Sequence, residues 1–262
     1  MIVRAFVILF VALMAVRAAA AAEKDSPTPA NASKTATWKA LFDGTNTDAW
    51  RGWESDKFPA KGWVVEDHCL KLQESNGRPN GGGGDLVTRE AFSDFELRWE
   101  WKISKGGNSG LKYLLGGGPG SPKHEPLYSG DKGLDVWGHE YQLLDDVGHP
   151  DAKRGATHQT ASLYDLIAPT GKKLRPLGEF NDSRLLIRGD HVEHWLNDVK
   201  VVEYELGGPA LAAALEKSKY KKLPGFGTKK RTPVLLQDHG EEVWFRNIRV
   251  RDLTPGAPPP AR

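Results

Sequence analysis

Polar side chains that could do chemistry concentrate in four short stretches of the sequence. They are residues 108–112 (NSGLK), 139–146 (HEYQLLDD), 192–197 (VEHWLN) and 235–240 (LLQDHG). Together they hold carboxylates, amides, histidines and a lysine, which are groups that transfer protons and bind hydroxyl groups. The chain also has nine Trp residues, whose apolar faces can stack on sugar rings. A carbohydrate is therefore the ligand class that these residues favour.

Alternation in the second stretch predicts that its polar side chains share one face of a strand. Tyr141 and Leu143 alternate with Glu140 and Gln142. Successive side chains of a strand point to opposite faces, so burial of the apolar pair turns the polar pair outward. Lys112 lies opposite its apolar neighbours in the same way, and a solvated outer face stays an alternative for it.

The fourth stretch is an apolar strand that ends in Asp238 and His239. We expect these two residues to converge with Glu140 and Gln142 on one sheet surface, because a proton-transfer site needs its groups around one substrate position. Asp and Gly also favour turns, so a simple turn stays an alternative for this segment.

Several catalytic motifs are absent from the sequence. It has no nucleotide-binding glycine motif at the start of a helix, no G-x-S-x-G and no H-E-x-x-H. The glycine run 81–84 lacks the lysine of a phosphate loop and predicts a flexible loop. His191 and His194 are three apart, which on a strand points them to opposite faces and disfavours a shared metal. No motif indicates a cofactor with certainty, and a divalent cation stays open.

The charge balance argues against a nucleic-acid partner, and we expect none. The chain has 36 Lys and Arg against 34 Asp and Glu, and residues 1–22 contain two of the arginines and no acid. The remaining chain is therefore neutral, whereas nucleic-acid binding needs a basic surface. The oligomeric state stays open.

The N-terminal residues predict export. Arg4 precedes a 12-residue apolar run, 5–16, and alanines at 18–22 offer cleavage sites, which is the pattern of a signal peptide. Twelve residues are too short to span a bilayer, so we expect no stable membrane insertion after cleavage. We therefore expect an exported protein, periplasmic or secreted. The predicted organisation is a signal peptide at 1–22, a flexible linker at 23–37, one domain at 38–253 and a disordered tail at 254–262.

The body of the chain predicts an all-β fold, a two-sheet antiparallel sandwich with one short helix. Period-2 alternation is clearest at 95–103, and Asn197-Asp198 predicts a hairpin turn. An Ala-rich stretch predicts the helix at 209–222. The single Cys69 cannot form an internal disulfide and is expected in a buried strand. Further strands are predicted at 109–115, 140–144, 162–167, 184–188, 192–196, 200–205, 233–236 and 243–250.

These stretches resemble the 3-keto-disaccharide hydrolase family. The matching segments run in order over residues 38–253, and they are 41–44 (LFDG), 107–110 (GNSG), 140–145 (EYQLLD), 163–169 (LYDLIAP), 178–181 (GEFN), 192–197 (VEHWLN), 236–240 (LQDHG) and 243–248 (VWFRNI). Phe180 departs from the Trp that the family often has there. The resemblance implies a concanavalin A-like, laminarinase-like jelly roll.

The resemblance also implies cleavage of glycosides oxidised to a ketone at sugar carbon 3. The ketone acidifies the hydrogen on carbon 2, so a base can remove it, the group on carbon 1 leaves, and water then adds. Gln142 stands where related retaining enzymes carry a nucleophilic carboxylate, which argues against double displacement. The expected catalytic residues are Glu140, His239, Lys112 and Asp238, the expected substrate-binding residues are Asn108, Gln142, His194, Asn197, Gln237 and Arg246, and Asp145 could hold a cation.

Two other functions stay open at this stage. A lectin-like, non-catalytic carbohydrate-binding module could use the same scaffold, because a fold does not determine a function. A sandwich that serves only as an interaction domain is the third. A cleft with convergent acid and base groups would favour the enzyme, whereas a shallow face with exposed Trp would favour the module.

Overall fold

A computed structural model describes residues 37–78, 82–117 and 136–254. The predicted signal peptide lies outside these ranges, as do the predicted linker and tail apart from residues 37 and 254. Within the described residues no helix is long and apolar enough to cross a membrane.

Thirteen strands in the described part of the chain form two antiparallel sheets. The larger sheet has eight strands in the order β11-β10-β9-β6-β13-β4-β3, with β1 paired to β13, and the smaller has the order β2-β5-β12-β7-β8. The strands are β1 (Lys39–Phe42), β2 (Trp50–Gly52), β3 (Trp63–Glu66), β4 (Cys69–Leu72), β5 (Leu86–Thr88), β6 (Phe95–Ile103), β7 (Asn108–Gly117), β8 (Val136–Leu144), β9 (Asn181–Arg188), β10 (His191–Leu196), β11 (Val199–Glu205), β12 (Leu235–Leu236) and β13 (Val243–Asp252).

The two sheets pack face to face through large aromatic side chains. Trp99 of β6 meets Tyr141 of β8 edge to face, with ring centroids 5.1 Å apart. The Tyr141 hydroxyl also lies 2.9 Å from the Ser183 hydroxyl of β9. Each of these side chains is buried, so their hydrogen bonds satisfy polar atoms inside an otherwise apolar core. These contacts show which face of each sheet packs against the other sheet, so the opposite face of each sheet points outward.

The predicted all-β sandwich with one short helix is confirmed. Alternation in β6 places Phe95, Leu97 and Trp99 on the buried face as expected. Cys69 is buried in β4. The predicted hairpin turn joins β10 to β11, where Asn197 has a φ of 46° and the following residue a φ of 64°.

Two predicted elements need correction. The helix α1 covers only Pro209–Leu215, and a separate 3-10 turn follows at Lys219–Lys222. The Ser218 hydroxyl accepts the Tyr220 N–H, which starts the new turn and lets Tyr220 stack on Phe226 at 4.5 Å. The predicted strand 162–167 forms only isolated bridges at Leu163, with Tyr141 and Ile167, because Ala161 and Asp165 have positive φ. Two further 3-10 turns, Pro150–Arg154 and Ala156–His158, lie before this segment.

Candidate functional site

The outer face of the five-stranded sheet carries the candidate site. In β7, Leu111 and Tyr113 point into the core, so Lys112 points outward, and Glu140 of β8 is its direct cross-strand partner. Gly110 and Gln142 form the next outward pair of the same two strands. Antiparallel pairing thus brings together side chains that are about 30 residues apart in sequence.

Lys112 and Glu140 form a buried ion pair on this outer face. Their residues are 7% and 6% exposed, and the Nζ–Oε2 distance is 3.9 Å. Neither side chain donates or accepts a hydrogen bond within the part of the chain that the structure describes. Burial of two charges costs several kcal/mol each unless other partners compensate it, so their hydrogen-bonding capacity is available to a ligand.

Gly110 makes room for the Glu140 carboxylate. A Cβ at residue 110 would lie 2.3 Å from Oε1 of Glu140, which is far inside van der Waals contact. The carboxylate therefore lies over the glycine, on the outer face of β7. The backbone of Gln237, which follows β12, bonds on the other side of the same glycine, because its N–H donates to the Gly110 carbonyl at 2.9 Å.

Asp85 is a second carboxylate at this site, and sequence reasoning missed it. It immediately precedes β5, and its Oδ1 accepts the Asp238 N–H at 2.8 Å. Burial raises the pKa of Asp85 to about 6; Asp238 and Glu140 act in the same direction, while Lys112 and the Asp238 N–H oppose the rise. The signal in the sequence was a lone acid between a glycine run and an apolar strand, which mirrors the way Asp238 follows β12.

Tyr164 and Lys219 lie close to Glu140. The Tyr164 N–H donates to the Glu140 carbonyl at 3.0 Å, and the Tyr164 hydroxyl donates to Asp151 at 2.8 Å. The Lys219 ammonium lies 4.5 Å from the centre of the Tyr164 ring. Burial lowers the pKa of Lys219, and the nearby Glu140 opposes this decrease. Tyr164 and Lys219 are further site residues that sequence reasoning did not assign.

Two amides present buried oxygen atoms at the outer face. Oδ1 of Asn108 and Oε1 of Gln237 are buried and have no hydrogen-bond partner among the described residues. A buried acceptor without a donor costs free energy, so both atoms suit a ligand that carries hydroxyl groups. The Gln142 side chain is also buried here, and its Oε1 accepts the Leu143 N–H at 3.2 Å.

Asp238 and His239 both follow β12, but their side chains have different surroundings. Oδ2 of Asp238 accepts the N–H groups of Gly83 and Gly84 at 3.1 and 3.0 Å and so anchors the glycine loop, while Oδ1 is buried without a hydrogen-bond partner among the described residues. Whether this glycine loop is flexible stays a prediction. His239 lies past the end of β12, where its Nδ1 is 3.3 Å from Glu241, at the rim and not within the buried cluster.

Two predicted binding residues are structural. His194 is fully buried between the sheets, where its ring nitrogens bond to the Tyr113 hydroxyl at 2.6 Å and the Ala161 carbonyl at 3.1 Å. Burial lowers its pKa to about 4, so it stays neutral. Asn197 belongs to the β10–β11 turn, and its Oδ1 accepts the Asp182 N–H. These placements correct both predictions, since neither side chain reaches the outer face of the five-stranded sheet.

The placement of Arg246 corrects one more prediction, and Asp145 has structural partners of its own. Arg246 is in β13 of the other sheet, where it pairs with Glu100 at 2.7 Å and covers the Phe180 ring. The Asp145 carboxylate accepts three backbone N–H groups, from Gly106, Val147 and Gly148, and so anchors a turn. These hydrogen bonds lower its pKa against the effect of burial, so backbone groups already stabilise the charge of this carboxylate.

One other cluster could offer ligands to a metal among the residues that the structure describes. His191, Glu193 and Glu203 place one ligand atom each within 4.8 Å of one another, on the eight-stranded sheet. Lys200 contacts both carboxylates, at 3.4 and 2.8 Å, and supplies the compensating charge. The cluster is thereby explained as a surface ion-pair network.

Comparison with known proteins identifies the family. The model of the 3-keto-alpha-glucoside-1,2-lyase-like domain matches residues 37–251. The chain belongs to this family. A 3-keto-disaccharide hydrolase of Bacteroides thetaiotaomicron is 38% identical over an alignment of 232 positions, which covers 81% of this chain and 77% of that protein. The expected family is therefore confirmed, as is an enzyme of the glycoside hydrolase type.

Solved structures agree with the fold. The crystal structure of a proposed glycosyl hydrolase from Parabacteroides distasonis is 29% identical, with a TM-score of 0.66 over 82% of this chain and 94% of that one. A second such structure from the same organism has 21% identity and a TM-score of 0.57, over 83% of this chain and all of that one. The second similarity concerns the fold alone.

Proposed function

We propose that this enzyme cleaves 3-keto-glycosides, such as 3-keto-disaccharides, at the site built around Lys112 and Glu140. The observation that carries the proposal is this buried ion pair, which makes no hydrogen bonds to the described residues and lies beside Gly110 and two buried amide oxygens. Burying these polar groups lowers the stability of the fold unless a ligand bonds to them. A substrate with hydroxyl groups and a ketone would bond to the ammonium, the carboxylate and the amide oxygens. The family and the curated relative support the same substrate class.

The proposed reaction begins with proton removal from carbon 2. Glu140 takes this proton, and the C2–H electron pair forms an enolate with the ketone on carbon 3. The Lys112 ammonium, 3.9 Å from the carboxylate, stabilises the enolate oxygen. The enolate then re-forms the ketone as the C1–O bond breaks, which leaves a double bond between carbons 1 and 2. Addition of water to that bond places hydroxyl on carbon 1 and returns a proton to carbon 2.

Apart from Glu140, strand β8 and the turn after it offer no free nucleophilic carboxylate for direct displacement at carbon 1 among the described residues. The residue two positions after Glu140 is Gln142, which is no nucleophile, and the Asp145 carboxylate is held by three backbone N–H groups. An unoxidised glycoside has no acidic hydrogen on carbon 2, so the proposed route requires the ketone.

The test compares a 3-keto-disaccharide with the same disaccharide unoxidised. We expect cleavage of the first and none of the second. Glu140→Gln keeps the size of the side chain and removes the base, so turnover should fall by about 10²–10⁴. Glu193→Gln is the matched control, since Glu193 is a largely buried carboxylate on the other sheet. Equal turnover of both sugars, or full activity of Glu140→Gln, would contradict the proposal.

Export is a further part of the proposal. The positive charge, the apolar run at 5–16 and the alanines at 18–22 support a signal peptide. A periplasmic or secreted enzyme would meet its sugar substrate outside the cytoplasm.

A further inference from the structure

We propose that Asp85 is the catalytic acid that protonates the leaving oxygen, opposite Glu140 as the base. The inference rests on the proposed function, and it deepens that function by assigning the second proton transfer. Removal of a proton from carbon 2 does not by itself release a sugar, because an alkoxide is a poor leaving group. The site must therefore supply a proton to the oxygen on carbon 1.

The strand register places Asp85 on the correct face. Leu86 pairs with Leu236 and points into the core, whereas the next residue, Val87, belongs to the outward cluster with Leu235. Asp85 precedes Leu86, so it shares the outward face with Val87. Lys112 is the cross-strand partner of Leu235, and this continues the same face across β12 to β7.

The span between the two carboxylates suits a bound sugar. Asp85 and Gly110 lie on either side of Gln237 in the strand register. Their backbones are therefore two strand spacings, or about 10 Å, apart. The Glu140 carboxylate leans over Gly110, toward Asp85. Acid and base carboxyl groups of glycosidases lie roughly 5–9.5 Å apart across their substrates. One sugar ring between Asp85 and Glu140 would have carbon 2 on one side and the leaving oxygen on the other.

Asp85 is held in a fixed position with one oxygen free. Its Oδ1 accepts the Asp238 N–H, and Oδ2 of Asp238 in turn accepts the N–H groups of Gly83 and Gly84. These three bonds tie the segment before β5 to the segment after β12. Within the described residues Oδ2 of Asp85 has no hydrogen-bond partner, so it is available to a leaving oxygen. The charged groups that act on Asp85 are Lys112, Asp238 and Glu140.

Burial also favours the protonated form that an acid needs. It raises the pKa of Asp85 to about 6, so about half of the carboxyl group is protonated near pH 6. In the reaction Asp85 gives its proton to the leaving oxygen and becomes a carboxylate. It recovers a proton from the water that adds to carbon 1. Glu140 exchanges its proton with solvent once the leaving group has departed, and then gives a proton to carbon 2. Both residues end the cycle as they began it.

Two 3-keto-glucosides test the assignment, one with a methoxy leaving group and one with 4-nitrophenoxy. Nitrophenoxide leaves without protonation, whereas methoxide needs an acid. We expect Asp85→Asn to lower cleavage of the methyl glycoside by about 10²-fold or more and to leave the nitrophenyl glycoside near wild type. Glu140→Gln should lose both. Asp182→Asn is the matched control, because burial also raises the pKa of Asp182, which lies in β9 of the other sheet.

The wild-type enzyme gives an independent test that no folding defect can obscure. Its kcat/KM for the methyl glycoside should fall as pH rises through about 6, and this decrease should be missing for the nitrophenyl glycoside. Equal losses of both substrates in Asp85→Asn, no loss of either, or identical pH profiles would overturn the role of Asp85. A wild-type enzyme that cleaves neither glycoside would instead overturn the proposed function.

Discussion

The buried pair of Lys112 and Glu140 should show a large energetic coupling in a double-mutant cycle. At 3.9 Å, two unit charges attract by about 4 kcal/mol at an effective dielectric constant of 20. Removal of one partner also leaves the other charge buried and unpaired, which adds to the cost of each single substitution. We therefore expect Lys112→Met and Glu140→Gln each to lower the free energy of unfolding by about 3–5 kcal/mol, with both variants still folded at the temperature of the activity assay. The double variant should recover part of the loss, with a coupling energy of about 2–4 kcal/mol.

Urea unfolding of the four proteins measures this coupling, and a surface pair provides the comparison. Lys39 and Glu90 are closer together, at 2.5 Å, but their side chains are 35% and 54% exposed. Solvent screening should limit their coupling to about 0.2–1 kcal/mol. A coupling for Lys112 and Glu140 no larger than that of the surface pair would refute the reasoning that burial, not distance, sets the strength of this interaction.

Three further predictions concern the site, the core and export. Gly110→Ala should fold, because Gly110 lacks a positive φ, but the added Cβ would displace Glu140 and lower turnover by about 10²-fold. The control is Gly52→Ala in β2, whose Cβ would lie 3.5 Å from its nearest neighbour and which should keep full activity in the same assay. Burial lowers the pKa of His139 to about 3 and that of His194 to about 4, so the folded state binds their protons less well than the unfolded state and loses stability as pH falls below about 6.5. NMR titration should find that both imidazoles stay neutral from pH 8 to 5. Protonation of both rings near pH 6.5 would contradict their burial. N-terminal sequencing of the protein from an envelope or secreted fraction should find a start near Glu23, whereas an intact Met1 there would count against export.

Alternation along single strands made half of the site predictable. Glu140 and Lys112 could be assigned outward because their neighbours Tyr141 and Leu111 are large and apolar, and the structure places them as a direct pair. The same rule would have corrected His194. It shares its strand face with Val192 and Leu196, both fully buried, and a polar residue in such a register belongs to the core.

The other half of the site depends on which strands share a sheet, and no single-strand pattern contains that information. Arg246 alternates as an outward residue should, but β13 belongs to the eight-stranded sheet. Asp85 has only a three-residue strand after it, too short for a period to stand out. Lys219 reaches the site from a 3-10 turn, whose position is set by tertiary packing of Tyr220 rather than by a local pattern.

Deuterium incorporation at carbon 2 is the most direct test of proton abstraction at the Lys112–Glu140 site. The wild-type enzyme would cleave a 3-keto-disaccharide in deuterium oxide, and mass spectrometry and NMR would locate deuterium in the released 3-keto sugar, with a no-enzyme sample and Glu140→Gln as controls for spontaneous exchange. Elimination followed by addition of water predicts one deuterium on carbon 2 of the product, gained only with active enzyme. A product that keeps hydrogen on carbon 2 would contradict the account and favour direct displacement at carbon 1.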